Sequence, residues 1–215
     1  MKIRTESQLA DAIDQDLIWR KKELTQLKFL LDAAAGRGDR ESTVLRGAVT
    51  LLYAHWEGFV KFAALAYLEY IAAQRLRFDE LAPALLALAA RSKLNAAANA
   101  NRIRAHIEIV EFFRASLSQR CSLPYKDGIT TRANLSSEVL REIVETLGLS
   151  FAPFETKCNL IDETLLRSRN TIAHGEYLII TVGRFEELAR EVLEMMENFR
   201  AQVQNAAALQ QFKAA

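Results

Sequence analysis

An all-α fold is expected for this 215-residue chain from three features of its composition and pattern. Only 8 Gly and 3 Pro are present, while Ala, Leu, Glu, Arg and Gln, which lose little on entering a helix, are abundant. Half of the chain (50%) is apolar, so it is long enough to bury a substantial core as one domain over residues 1–215. Its apolar residues recur three and four positions apart, the spacing that gives a helix one buried stripe.

The first helix is expected from about Ser7 to Ala35, with Leu9, Ile13, Leu17, Leu24, Leu27 and Leu31 on one stripe. Gly36-Arg37-Gly38 stops it, and Asp39 or Ser42 caps the next helix. That helix, Val44 to Leu76, is apolar around most of its circumference and is expected at the centre of a bundle. Within it Trp56 reads as core and His55 as a residue satisfied nearby, while Glu57 needs a partner, reading first as a structural hydrogen bond and second as a carboxylate that holds an arginine from a neighbouring helix. A shorter helix from Phe78 to about Ala90 carries Pro83 near its first turn, where the missing amide is tolerated. Asn95 to Asn101 reads as a polar break before a helix from Arg102 to Leu117.

Arg91, Lys93, Arg102, Arg104 and Arg114 form a basic concentration that reads first as a solvated face and second as a phosphate contact. Ser118 to Ala133 is the main loop, marked by Pro124, Asp127-Gly128 and the threonines, and its Lys126 and Arg132 are secondary candidates for substrate contact. Ser136 or Ser137 caps a helix that Gly148 closes. After Pro153 a helix from about Glu155 carries Arg167, Arg169, Asn170 and His174 and ends at Gly175. Tyr177 to Ile180 is a short extended piece, Thr181 caps a last helix from Phe185 to about Val203, and the tail from 205 to 215 is expected to fray.

The net charge of +1 is not the plain basic excess of a duplex-tracking domain, so any nucleic-acid site is local. Cys121 and Cys158 stand alone, without the ligand spacing of a zinc site or a disulfide framework. No apolar leader follows Met1, and Arg46, His55, Glu57, Lys61 and Glu69 interrupt the most apolar helix. A soluble, cytoplasmic protein with no membrane partner is the expectation.

Chemistry concentrates in Arg167-Ser168-Arg169-Asn170-Thr171-Ile172-Ala173-His174-Gly175. A basic last turn closed by glycine is also what simple stabilisation of a helix end requires. On a wheel at 100° per residue, Ile161, Leu165, Ser168 and Ile172 face inward and Arg169 lies at the edge of that face. Asn170 and His174 share a face with Arg167, whereas Arg169 and His174 diverge by about 140°. Arg167 therefore stays open as a second working arginine beside Arg169.

Arg169-Asn170-Thr171-Ile172-Ala173-His174 resembles the Arg-x(4–6)-His signature of the HEPN superfamily, helical domains that include many metal-independent ribonuclease toxins. Leu51 to Lys61 (containing His55-Trp56-Glu57-Gly58), Asn134-Leu135-Ser136, Leu147-Gly148-Leu149 and Gly175-Glu176-Tyr177 extend the likeness to the MAE-like bacterial subgroup over about residues 5 to 204. The resemblance implies a HEPN-like antiparallel bundle with a four-helix core and additional helices. It implies that Arg169, Asn170 and His174 are catalytic, with Arg169 preferred to Arg167 because Asn170 follows it. It also implies a homodimer and, for some members, an antitoxin or nucleotidyltransferase partner that modifies a tyrosine two residues after the histidine. Tyr177 stands three residues after His174, and that offset favours a core tyrosine over a modification site.

These residue types suit RNA cleavage on chemical grounds. The 2′-hydroxyl is an internal nucleophile, histidine transfers protons near neutral pH, and a guanidinium grips two phosphate oxygens in one plane. No cluster of carboxylates for Mg²⁺ accompanies the motif, so no cofactor is expected.

Overall fold

The computed structural model describes residues 2–99, 103–132 and 134–214. The described residues form α-helices and no strand, only two isolated bridges, so the all-α expectation holds. Helix α1 spans Glu6–Ala34, and Thr5 starts it with a capping box, its side chain taking the Gln8 N–H while Gln8 reaches back to the Thr5 N–H. Helix α2, Asp39–Ala73, buries Tyr53, Trp56, Phe59, Val60 and Tyr67 almost completely and is the central helix expected from its sequence. Gly38 precedes it without a side-chain cap, so neither proposed capping residue plays that part.

Phe78–Glu80 forms only a 3₁₀ turn, and α3 runs Pro83–Ala98 with Pro83 in its first turn. The helix thus continues through Asn95, Ala96, Ala97 and Ala98, which correct the expected polar break: asparagine disfavours a helix interior weakly, and the surrounding alanines carry it. Helix α4 is Ile103–Ala115; Arg102 and Asn101 lie outside the described residues. Helix α5, Ser137–Thr146, is capped by Ser136. Gly148 (φ 70°) ends it in a Schellman arrangement, with Leu149 N–H donating to Val144 and Gly148 N–H to Glu145.

The helix expected from Glu155 is instead three segments: a 3₁₀ turn Ala152–Lys157, a π-helical stretch Leu160–Leu166, and α6, Arg167–Ala173. Helix α7 runs Val182–Ala208 from a Thr181 cap. Its tail does not fray. Ala206, Ala207 and Phe212 are buried, Phe212 meets Tyr70 edge-on at 5.7 Å, and its carbonyl accepts the Ala82 N–H at 2.9 Å. That long-range seat corrects the reading made from the polar, alanine-rich sequence.

Helices α1, α2 and α7 pack on one another, α6 and the π-helical stretch pack on α2, and α3 packs on α4 and α5. Between α1 and α2 lies a buried polar contact. Arg20, 7% exposed, is gripped by Asp16 at 2.6 Å and donates to the His55 carbonyl at 3.1 Å. Burial lowers the His55 pKa, and its Nε2 lies 3.0 Å from the Glu23 carboxylate without hydrogen-bond geometry.

Gly58 makes this contact possible, because a Cβ there would meet the Arg20 guanidinium at 2.9 Å. Gly58→Ala is expected to destabilise the fold by about 1–3 kcal/mol, since the pinned arginine cannot yield cheaply. Chemical denaturation compared with that of Gly47→Ala, where nothing lies within 4 Å, checks this.

Candidate functional site at the end of helix α6

Three elements converge on Arg169. Its Nη1 donates to Asn134 Oδ1 and to Asn170 Oδ1, both at 2.8 Å, and its guanidinium lies 4.9 Å from the centre of the Tyr53 ring. Tyr53 is 1% exposed, and its hydroxyl accepts the Leu135 N–H at 2.6 Å, which ties α2 to the turn before α5. Burial pushes the Tyr53 pKa well up, so the hydroxyl stays neutral, and the nearby Glu57 carboxylate pushes the same way.

Among the described residues Glu57 pairs with no arginine and makes a structural hydrogen bond instead. It accepts the Thr131 hydroxyl at 2.5 Å and stands beside Tyr53, one residue removed from Arg169. The Tyr53 ring is thus the platform on which the guanidinium rests, with the Glu57 carboxylate beside it.

The π-helical stretch explains why Arg169 sits there. Ile161 and Leu165 are fully buried as the wheel requires, but Ser168 and Ile172 are only half-buried. Widening of the turns before α6 holds the following side chains back by roughly 100° from their α-helical phase, and this carries Arg169 from the edge of the inward face onto the buried Tyr53.

His174 ends α6. Gly175 (φ 79°) closes the helix as expected, its N–H donating to Ile172 and the Glu176 N–H to Thr171, each at 3.0 Å. His174 itself is exposed and its ring has no hydrogen-bond partner among the described residues. It lines an open hollow of about 440 Å³ with Arg167, Asn170 and Thr171, and with the carboxylates of Asp162, Glu163 and Glu176. Arg167 is exposed and paired with Glu163 at 3.1 Å, while Asp162 accepts the Ser137 N–H at 2.8 Å. Arg167, Asn170 and His174 thus share one surface, and Arg169 approaches it from the inner side through Asn170.

The other proposed residues are elsewhere. Arg132 pairs with Glu142 of α5 at 2.8 Å, and Lys126 lines a separate groove beside the C-terminal half of α2. Tyr177 is not a core residue. It is 67% exposed, its hydroxyl lies 3.1 Å from Ser42 Oγ, and Arg46 stacks on its ring while donating to the Glu176 carbonyl at 3.0 Å. Tyr53 and Asn134 are the members of the site that sequence reasoning missed. Both fall in stretches that carry the family likeness, Leu51 to Lys61 and Asn134-Leu135-Ser136, but nothing in the helical pattern pointed either side chain at Arg169. Among the described residues, no group of three or more His, Cys, Asp or Glu side chains is placed to hold a metal ion.

A helical bundle that presents an Arg-x(4)-His pair at a glycine-closed helix end is the arrangement that the HEPN resemblance implies. The HEPN_MAE_28990 family model, MAE-like HEPN, matches residues 9–212, and the chain belongs to that family. No curated protein and no solved structure matches it.

Proposed function

We propose that the chain is a metal-independent RNA endonuclease of the HEPN toxin or phage-defence kind. One observation carries the reading: Arg169 is pre-set by two asparagine oxygens and an aromatic face, while an unengaged histidine stands at the open end of the same helix. A scaffold has no need of both. In this mechanism His174 takes the proton from the 2′-hydroxyl or returns one to the leaving 5′-oxygen. Arg169 stabilises the charge that builds on the phosphoryl oxygens, and Asn170 keeps it aimed.

Within one protomer Arg169 and His174 point apart, and three carboxylates edge the hollow. A two-fold axis at the end of α6 would bring two copies of each cation into one cleft, so the active species is read as a homodimer. Leu166 and Ala173 offer apolar surface there. Tyr177 is exposed, as modification by a nucleotidyltransferase partner would require, although its hydroxyl lies against Ser42. The carboxylate rim favours a second reading, a HEPN module that binds nucleotide or RNA, or only dimerises, without turnover.

The test is the product. Cleavage by purified protein is expected to survive excess EDTA, to leave 2′,3′-cyclic phosphate ends, and to fail on a 2′-deoxy substrate, which lacks the nucleophile. Mg²⁺-dependent cleavage of DNA would end this mechanism. Binding without cleavage would support the second reading.

A further inference from the structure

Two adjoining hollows beside the C-terminal half of α2 share Lys2, Ile3, Glu69 and Tyr125 and form one groove. The larger, about 660 Å³, has an apolar floor that includes Phe62 and Leu65 of α2. The smaller, about 290 Å³, extends it past Arg4 and Arg75.

Its charge is one-sided. Lys2, Arg4, Arg75 and Lys126 line the groove against one carboxylate, Glu69, which already accepts the Ile3 N–H at 3.2 Å. Among the described residues, no ion pair includes any of the four cations. In a chain of net charge +1, this groove is a local positive field. Two aromatic rings line it: Phe62 is 37% exposed and Tyr125 is half-buried.

We propose that the groove binds a single-stranded segment of RNA away from the bond that is cut, with bases against Phe62 and Tyr125 and phosphates against Lys2, Arg4, Arg75 and Lys126. The inference rests on the reading of the chain as acting on RNA. Free cations beside apolar and aromatic surface are the two parts of a single-strand platform, and a duplex, whose bases are hidden, would use only the cations. Helix α2 also connects the two places. Tyr53, beneath Arg169, and Phe62 are separated by roughly 14 Å of helix rise, with Ala54 and Lys61 exposed between them. Nine residues also turn Phe62 to the opposite face of α2 from Tyr53, so a strand that joins the two places passes round the helix, over the exposed Lys61.

The experiment is fluorescence anisotropy with 2′-O-methyl oligouridylates of about four and about sixteen nucleotides, which lack the nucleophile and so report binding alone. The longer one is expected to bind about tenfold more tightly or better, because it alone spans both places. Lys2→Glu with Lys126→Glu, both at exposed positions, should erase that advantage and flatten the salt dependence. Phe62→Ala should weaken the longer oligomer and leave the salt slope alone. Unchanged length dependence in these variants would overturn the proposal. So would tighter binding of a polyglutamate peptide than of RNA, which would make the groove a site for an acidic protein segment. The nuclease reading fails separately: groove-dependent binding by a protein that cleaves nothing keeps the groove and removes the activity. Cleavage with the same KM for both lengths, unaltered in the groove variants, does the reverse.

Discussion

Replacing His174 with alanine is expected to lower RNA cleavage by about 10²–10⁴-fold, the usual contribution of one positioned proton-transfer group. The fold should hardly notice. His174 is exposed, its ring has no hydrogen-bond partner among the described residues, and Gly175 closes the helix through backbone bonds alone, so the change in stability should stay within about 0.5 kcal/mol. Single-turnover cleavage and a thermal melt on the same preparation separate the two effects. Complementation extends the test. If one protomer's arginine serves its partner's histidine, inactive Arg169→Ala and His174→Ala subunits should regain part of the activity when mixed. A protein that is monomeric at micromolar concentration and fully active would exclude the shared site.

Arg169→Lys carries the second large effect, a loss of about 10²–10³-fold, as for removal of one preorganised donor to a transition-state oxyanion. The geometry makes the point sharper than charge alone. One guanidinium nitrogen serves both Asn134 and Asn170 while the plane rests on Tyr53, which leaves its other N–H groups for a phosphate. An ammonium is a point charge and keeps none of that planar fork. Arg167→Lys should cost only a few-fold, because Arg167 is exposed and its Glu163 partner lies one turn back on the same helical segment. The opposite ranking in steady-state kcat/KM would make Arg167 the working residue.

Much of this site was legible where a residue type has one strong local meaning. Gly148 and Gly175 close helices because both adopt the left-handed conformation, and Ser136 and Thr181 cap because their hydroxyls reach the next free N–H groups. The motif and its family likeness were equally local. What escaped depends on partners far along the chain. Asn134 meets Arg169 across 35 positions, and Phe212 finds Tyr70 only after the bundle has closed. Tyr177 looked like core because it opens an apolar run, yet Arg46 and Ser42 hold it at the surface. Glu57 was rightly singled out as a polar group in need of a partner, but the residue that satisfies it, Thr131, lies in a loop whose path no helical pattern predicts.

The π-helical stretch before α6 bears on how this protein tolerates change in length. A π turn is an α-helix that has absorbed an extra residue in place and kept its two flanks in register. A relative with one residue fewer between Leu160 and Leu166 would run as an ordinary helix there and still deliver its arginine to the same aromatic platform. Mutations that favour ordinary α-helical hydrogen bonding in the present sequence would instead swing Arg169 off Tyr53 without touching either residue. Insertions and deletions in this one stretch thus act as a rotation of the motif, and an alignment that counts residues there without counting turns will pair side chains that face different ways.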